Sequence, residues 1–326
     1  MAFKTPLLGL AMLSRLAAVG AVAGGVVAGG ATVAQAADLK LVGISVGSLG
    51  NPFFVATING ITAAAKKINP DVQVTSVSSD YDLGKQSTQM DNFIAAGTNV
   101  IMLNAVDANA IAPAIDRAHK AGAIVAAFDV GAKGADITVM TNNVKAGELS
   151  CQYIVDHLPG GKGDVLIVNG PQVTSVIDRV KGCKDVFAKN PGVNVLSDDQ
   201  DAKGSRDGGL AVAQSLLTRF QKVDAVFAIN DPTAIGVELA ARQLNRSEFF
   251  ITSVDGAPDI EKELKSDTSM IKASASQDPF TMAGKSLEMA AQMLAGNKPD
   301  QNVVLLDPVL ITADNINDYK GWTAAR

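Results

Sequence analysis

The stretch LKLVGISVGSLGNPFF (39–54) joins a run rich in apolar and β-branched residues to a turn and then to the start of a segment with helical periodicity. The composition of its first eight residues predicts a β-strand. Asn51 and Pro52 predict a helix start, because Asn is a good N-cap and Pro is tolerated at the first helical position. The stretch is therefore the first strand–turn–helix unit of an α/β protein.

The same unit recurs along the chain. Strands are predicted at 39–46, 72–79, 100–106, 123–129, 164–170, 193–199, 225–230, 249–256 and 270–277, with segments of helical spacing between them. Strands that are apolar on both faces and separated by helices favour parallel sheets covered by helices on both sides. So many strands exceed one typical open sheet, and residues 130–143, expected to be a loop, interrupt the rhythm. We therefore expect two doubly wound lobes with a multiply connected hinge. A final apolar run, 303–312, could return the chain to either lobe.

The first 36 residues differ from the rest of the chain. Lys4 and Arg15 precede or flank an apolar, Gly-rich stretch (16–30), and a small-residue motif ends at Ala36. This arrangement is typical of a secretory signal peptide cleaved after that alanine. The alternative, a membrane anchor, is disfavoured because the stretch falls short of the ~20 strongly apolar residues that a membrane-spanning helix needs. We expect the mature chain to be exported.

Charge and cysteine content narrow the function further. A net charge of -5, from 28 basic and 33 acidic residues, argues against a nucleic-acid partner. Cys151 and Cys183 would lie in an oxidising compartment after export, and both fall on predicted helices. They could form a disulfide or be two small buried apolar residues that never meet, and their spacing does not decide between these alternatives.

Motifs of enzymes are weak in this sequence. GISVG (43–47) matches the nucleophile-elbow pattern, but Ser45 lies inside the first predicted strand and not on a sharp turn. Both histidines, His119 and His157, fall in the first half of the chain, whereas that hydrolase order places the histidine late. The sequence has no P-loop, no dinucleotide-binding fingerprint after a strand and no zinc-protease motif. We expect no catalytic residues, no metal and no cofactor.

Polar side chains follow the carboxyl ends of most predicted strands, where ligands of open α/β sheets bind. These residues are Asn51, Asp80, Asn104, Asp107, Asp129, Asn143, Asn169, Asn230, Asp231, Asp255 and Gln277. Many of them could be ordinary helix caps or turn residues, although Gln277 is a poor cap. Planar amides and carboxylates can hold neighbouring hydroxyls, and an aromatic ring packs on the C–H face of a sugar or polyol. Phe53 and Phe54 fall in the first turn of the helix, where one or both could instead only fill the core, and we expect at least one of them to contact such a ligand.

Five motifs occur in a fixed order along the chain. They are LGNPFF (49–54), AAFDVGA (126–132), AVFAINDPTAIG (225–236), SVDGAPD (253–259) and SASQDPF (274–280). From about Leu39 to the C-terminus, the chain resembles the ribose-type periplasmic sugar-binding proteins, the solute-capture components of ATP-driven importers. The resemblance implies two Rossmann-like lobes that are joined by three hinge crossings and clamp a ligand between them. It implies lobe boundaries of 38–141 plus 278–306 for the first lobe and 142–277 plus 307–326 for the second.

The resemblance also implies which residues face the ligand. They are Asn51, Phe53, Phe54, Asp129, Arg179, Asn230, Asp255 and Gln277. Without the resemblance, Arg179 would be interpreted as a solvated helix charge. The implied function is capture of a small sugar or polyol by a monomer in the periplasm and its delivery to the membrane permease of an ABC transporter. Two alternatives are presentation of the ligand to a chemotaxis or sensor-kinase receptor, and a sugar-responsive transcription regulator, which would need an N-terminal DNA-binding motif.

Four departures from the ribose-binding pattern bear on the ligand. Val130 stands where ribose binders of this type carry an arginine, Gly47 where they carry a serine, and Val254 where they carry an aromatic residue. Residues 198–209 contain no aromatic residue to cover the far face of the sugar. We therefore expect a small sugar or polyol other than ribose, held between one aromatic wall and one hydrogen-bonding wall.

Overall fold

The computed structural model describes residues 39–322 as an alternation of strands and helices. The strands are β1 (Leu41–Val46), β2 (Gln73–Ser78), β3 (Val100–Leu103), β4 (Ile124–Phe128), β5 (Ile137–Thr141), β6 (Gly163–Val168), β7 (Val193–Ser197), β8 (Ala225–Ala228), β9 (Phe250–Asp255), β10 (Ile271–Ser276), β11 (Val303–Leu306) and β12 (Val309–Thr312). The helices are α1 (Pro52–Ile68), α2 (Leu83–Ala95), α3 (Ala112–Lys120), α4 (Asn143–His157), α5 (Thr174–Ala188), α6 (Arg206–Arg219), α7 (Asp231–Gln243), α8 (Pro258–Leu264) and α9 (Pro279–Leu294), with a 3-10 turn at Pro159–Gly161. The expected signal peptide lies outside the described residues.

The strands form two sheets with the same internal order. One sheet runs β11-β5-β4-β3-β1-β2 and the other β12-β10-β9-β8-β6-β7. Neighbouring strands are parallel except β10 and β12, which are antiparallel. We call the first sheet with α1, α2, α3 and α9 lobe 1, and the second sheet with α4 to α8 lobe 2. This architecture confirms the expected fold class of two doubly wound α/β lobes.

Within the described residues, the chain passes between the two sheets three times. The crossings follow Thr141 and Ser276 and lie between Leu306 and Val309. The run 303–312 therefore serves both lobes, because Asp307 and Pro308 divide it into β11 of lobe 1 and β12 of lobe 2. A hinge of three crossings allows the lobes to rotate while each sheet stays intact.

The expectation of a loop over 130–143 was wrong, because this segment contains β5. Parallel neighbours are usually joined by a crossover of a dozen or more residues that includes a helix. Here β4 and β5 are parallel neighbours joined by residues 129–136 without a helix. The missing helical segment removed the alternation on which the prediction rested.

Helices α4 and α5 of lobe 2 are in backbone contact and covalently linked. A Cβ atom added to Gly147 would lie 2.0 Å from the carbonyl oxygen of Arg179, and one added to Gly182 would lie 2.0 Å from the carbonyl oxygen of Val144. One turn further along α4, Cys151 forms a disulfide with Cys183, with their Cα atoms 5.1 Å apart. The two cysteines therefore form a bridge, which resolves the alternative left open by their spacing. Among the described residues, no helix has the length and apolar character of a membrane span.

Candidate ligand-binding site between the lobes

The carboxyl ends of both sheets face one cavity between the lobes. All eight residues predicted to contact a ligand line it: Asn51, Phe53, Phe54, Asp129, Arg179, Asn230, Asp255 and Gln277. The remaining lining residues are Tyr81, Asn104, Pro171, Val173, Ser175, Val176, Gly204 and Ile229. We call this space the central cavity. The structure thus brings the predicted residues together, and their role in ligand binding stays a prediction.

The start of α1 provides the aromatic wall of the central cavity. Asn51 caps the helix, and its side-chain oxygen accepts a hydrogen bond from the backbone N–H of Phe53 at 2.9 Å. The rings of Phe53 and Phe54 are both buried and meet edge to face, with centroids 5.4 Å apart. The ring of Trp322 packs against that of Phe53, with centroids 5.8 Å apart, and Trp322 Nε1 donates to the carbonyl oxygen of Gln277. The C-terminal segment therefore supports both the aromatic wall and a hinge crossing.

Arg179 is the cationic centre of the lobe 2 wall. It is 4% exposed, so its interpretation from sequence alone as a solvated helix charge was wrong. Its Nε donates to Asn143 Oδ1 at 2.9 Å, and its Nη1 donates to the carbonyl oxygen of Ile229 at 2.9 Å and to Asp255 Oδ1 at 3.2 Å. The backbone contact between α4 and α5 brings Asn143, the first residue of α4, within reach of the guanidinium. The guanidinium is therefore held rigidly at the edge of the cavity.

The two carboxylates of the cavity lie on strained backbone. Asp129, directly after β4, has a φ of 66°, and Asp255, at the end of β9, has a φ of 136°. Residues other than glycine rarely adopt positive φ, and such strain concentrates at functional sites. Asp129 Oδ2 accepts from Asn104 Nδ2 at 2.8 Å, whereas Asp255 Oδ1 accepts from Gln277 Nε2 at 2.6 Å as well as from Arg179. The surrounding structure therefore fixes both side chains.

A third carboxylate, Asp231, supports this end of lobe 2 from behind. It is fully buried, and its oxygens accept from the hydroxyls of Ser253 and Ser274 and from the backbone N–H of Ala257. These bonds tie the start of α7 to β9, to β10 and to the turn that follows Asp255. We assign it a structural role, because it does not line the central cavity.

Burial controls the protonation of the cavity carboxylates. Desolvation raises the pKa of Asp129 to about 6, with the negative charge of Asp255 adding to the shift and the positive charge of Arg179 opposing it. Desolvation also raises the pKa of Asp255, again against the effect of Arg179. Because these two carboxylates share a single guanidinium, the cavity has an excess of negative charge and hydrogen-bond acceptors near neutral pH.

Several polar atoms at the cavity have no hydrogen-bond partner within residues 39–322. They include the donors Asn51 Nδ2 and Arg179 Nη2 and the acceptor Asp129 Oδ1, since the hydrogen bonds of these side chains use their other atoms. In contrast, Asn230 accepts from the backbone N–H of Thr233 as a helix cap and donates to the carbonyl oxygen of Gly204. The unpaired atoms lie on both walls, with Asn51 Nδ2 and Asp129 Oδ1 on lobe 1 and Arg179 Nη2 on lobe 2, and a ligand that carries both donors and acceptors can satisfy them.

Direct contact between the lobes encloses this space. The backbone N–H of Gly131 in lobe 1 donates to Thr174 Oγ1 in lobe 2 at 2.8 Å. Beside this bond, Val130 is buried and belongs to one apolar cluster with Val173 and Val176 of lobe 2. The valine at position 130, where ribose binders carry an arginine, therefore contributes apolar packing between the lobes in place of a charge.

The expected hydrogen-bonding wall of lobe 2 is in fact mixed. Val173 and Val176 line the cavity next to Arg179, and residues 198–209 contribute Gly204. The two valines escaped prediction because they lie at the start of α5, where apolar residues read as ordinary helix core. On the lobe 1 side, prediction also missed Tyr81. The neighbouring residue Asp80 was among the predicted strand-end residues. Its side chain, however, is exposed and accepts hydrogen bonds from Ser78 and Lys85.

Comparison with known proteins places this architecture in a family. A sequence model described as a periplasmic binding protein domain matches residues 42–298. The ribose import binding protein of Salmonella typhimurium is 30% identical over 272 residues, which cover 82% of this chain and 90% of that protein. The xylitol-binding protein of Mycolicibacterium smegmatis is 28% identical over 310 residues, which cover 94% of this chain and 86% of that protein.

A solved structure agrees with these relatives. The myo-inositol binding protein of Caulobacter, bound to myo-inositol, superposes with a TM-score of 0.78 and 26% sequence identity over 85% of this chain and 95% of that chain. The matches confirm the resemblance drawn from the five sequence motifs. This chain belongs to the family of periplasmic binding protein domains.

Proposed function

We propose that this protein captures a small sugar or polyol in the central cavity and delivers it to the membrane permease of an ABC importer. The observation that carries the proposal is that one cavity combines a buried aromatic wall with hydrogen-bond donors and an acceptor that have no partner in the protein. A polyol hydroxyl donates one hydrogen bond and accepts others, so adjacent hydroxyls fit Asp129 and Arg179. The C–H groups of the same ligand pack on Phe53 or Phe54.

A ligand that contacts both lobes favours the closed arrangement of the lobes. Asn51, Phe53 and Asp129 belong to lobe 1, whereas Arg179 and Asp255 belong to lobe 2. A ligand shifts a conformational equilibrium only by its difference in affinity for the two states, and contacts on both lobes are complete only when the lobes are closed. A permease that recognises the closed form therefore receives the loaded protein.

The known relatives, together with the differences from the ribose-binding pattern, favour a polyol or a sugar other than ribose as the ligand. The curated relatives include proteins named for ribose and for xylitol, and a neighbouring structure holds myo-inositol. The absence of an arginine at Val130 and the glycine at position 47 change the wall on which ribose binders rely.

We extend the proposal to export by the N-terminal signal peptide, to function as a monomer, and to lobe boundaries of 38–141 plus 278–306 and 142–277 plus 307–326.

A binding role, and not catalysis, is part of the proposal. Ser45, the candidate nucleophile of the GISVG motif, is fully buried within β1. Its hydroxyl donates to Gln89 Oε1 at 2.9 Å and accepts from Gln86 Nε2 at 3.1 Å. A nucleophile needs an adjacent base and access to a substrate, and these amide partners provide neither.

Calorimetric titration of the mature chain with xylitol, ribitol, myo-inositol, arabinose and ribose tests the proposal. We expect exothermic 1:1 binding of at least one polyol or sugar with higher affinity than ribose. Closure can be followed in the same samples by the fluorescence of Trp322, the only tryptophan of the sequence, which packs against Phe53 and the hinge. The Asp129→Ala variant serves as the control, because it removes a cavity acceptor. Absence of binding across the whole panel would refute the proposed function.

A further inference from the structure

The ring of Tyr81 occupies the space above Gly47. A Cβ atom added to Gly47 would lie 2.6 Å from Cε1 and 2.8 Å from Cζ of this ring, closer than real Cβ contacts. A side chain at position 47 and the observed position of the Tyr81 ring therefore exclude each other. Gly47 and Tyr81 therefore belong to one local arrangement.

The loop that holds Tyr81 is strained and firmly anchored. Asp80 and Tyr81 have φ angles of 53° and 57°, two consecutive non-glycine residues in the left-handed region. The backbone N–H of Tyr81 donates to the carbonyl oxygen of Gly47 at 3.2 Å, and that of Ser79 donates to the carbonyl oxygen of Val46 at 2.8 Å. Strain of this kind persists only where the surrounding structure enforces it, and it concentrates at functional sites.

Tyr81 borders two spaces between the lobes, as do Asn51 and Gly204. It lines the central cavity and, in addition, a groove of about 530 Å³ outside it. This outer groove is lined by Ser48 and Pro52 of lobe 1 and by Lys203, Pro232 and Pro258 of lobe 2, among others. Removing the ring would therefore enlarge the space available to a ligand toward the outer groove, whereas moving it would change the shape of both spaces.

We infer that Tyr81 is a specificity-determining residue that closes the central cavity toward the outer groove, and that Gly47 is the residue that makes room for it. The ring then limits the ligand to one sugar ring or an open chain of similar length. The hydroxyl is neutral and able to donate at physiological pH, as in any tyrosine, and burial and the nearby Asp129 raise the pKa of Tyr81 further. This inference rests on the proposed function, since it defines the size of the ligand that the same cavity accepts.

The test compares a short and a long ligand on matched variants. The short probe is whichever of xylitol, ribitol, myo-inositol, arabinose and ribose binds the unaltered chain most tightly, and the long probe is the disaccharide alditol maltitol. We expect Tyr81→Ala to improve the affinity for maltitol relative to the short probe by about tenfold or more, the scale of one good contact. Tyr81→Phe keeps the ring and should preserve the ratio. Tyr153→Ala, which removes a tyrosine outside the cavity on α4, should also preserve it.

A double-mutant cycle tests the link to Gly47. Gly47→Ser should weaken binding of the short probe by about tenfold when Tyr81 is present and by less than about threefold in the Tyr81→Ala background, because coupled neighbours give non-additive effects. Thermal unfolding of each variant establishes that it is folded. An unchanged ratio in Tyr81→Ala, or additive effects in the cycle, would overturn the inference while binding of the short probe leaves the proposed function intact. Failure of the unaltered chain to bind any member of the five-ligand panel would overturn both.

Discussion

Lobe 1 and lobe 2 share one strand order and place the same residue types at matching strand ends, yet they hold their carboxylates differently. Asn104 follows β3 as Asn230 follows β8, and Asp129 follows β4 as Asp255 ends β9. Asp129 receives one side-chain hydrogen bond, from an amide, whereas Asp255 receives bonds from Arg179 and from another amide. The sheet topology thus determines where the carboxylates lie but not how they are compensated.

The helix after the first strand of each lobe makes the difference. Helix α1 follows β1 and brings Phe53 and Phe54 to the cavity, whereas α5 follows β6 and brings Arg179. Lobe 1 therefore offers an apolar face and an unpaired acceptor, and lobe 2 offers a compensated charge. A ligand between them has a ring or carbon chain on one side and an oriented hydrogen-bonding partner on the other. The two lobes therefore share one topology but present chemically complementary walls to the cavity.

The comparison predicts its largest effect at Arg179. Replacing it with alanine leaves Asp255 as a buried carboxylate without its cation and removes the bonds to Asn143 and Ile229. Breaking a buried ion pair on one side costs about 3–5 kcal/mol. We expect Arg179→Ala to lower the free energy of unfolding by that amount in urea titrations and to abolish ligand binding in calorimetry.

Lys181 on the same helix provides the control for this prediction. Its side chain is 59% exposed and pairs with Asp185 at the surface. Exposed pairs contribute about 0–1 kcal/mol, so Lys181→Ala should leave unfolding and binding nearly unchanged. Equal stability of the two variants would show that the charge on Asp255 does not depend on Arg179 and would remove the contrast between the lobes.

A covalent link is the second difference between the lobes. The disulfide of Cys151 and Cys183 ties α4 to α5 of lobe 2 across a sequence separation of 32, and both sulfurs are buried. Closing a loop of this length is expected to stabilise the fold by about 3–4 kcal/mol through the entropy of the unfolded chain. We expect reduction to lower the free energy of unfolding by that amount, measured in urea with and without reductant.

The double variant Cys151→Ala/Cys183→Ala separates the bond from the reductant. It should unfold like the reduced protein and show no response to reductant. Hydrogen exchange should locate the added opening in α4 and α5 more than in α1 and α9, the corresponding contact of lobe 1, where no cross-link is present among the described residues. Uniform loss of protection in both lobes would mean that they unfold as one unit and that the link does not act locally.

Local patterns predicted most of the strands, though not β5, and the cap of α1, because those features depend on neighbouring residues. The N-cap at Asn51 and the proline that follows it are found as expected. The position of Arg179 could not be derived from its own helix, since its burial results from packing of α5 on α4. The inward orientation of Tyr81 depends on Gly47, 34 positions earlier in the chain. Long-range packing decides such orientations, and a single sequence contains no direct record of it.

The smallest expected effect concerns protonation of Asp129, the less compensated carboxylate. Its pKa in the folded chain is about 6, above the ordinary value of 3.8, so this group favours folding below the lower value, and that contribution is lost as the pH rises through the higher one. Ligand binding should have the opposite sign, because a hydroxyl donates to the ionised carboxylate. We expect the affinity for the ligand to fall about tenfold between pH 7 and pH 5, since a group with a pKa of about 6 is largely protonated at pH 5.

Calorimetric titrations across this pH range, with thermal unfolding of the ligand-free chain at the same points, measure the two opposite trends. Asp129→Asn should bind more weakly at pH 7 but show a shallower loss of affinity on acidification, which then reflects Asp255 alone. Asp255 also has a raised pKa, but its Oδ1 already accepts from Arg179 and Gln277, so its protonation should remove fewer contacts with a ligand than that of Asp129. A variant profile as steep as that of the unaltered chain would assign the pH dependence to lobe 2 and reverse the order of compensation argued for the two carboxylates.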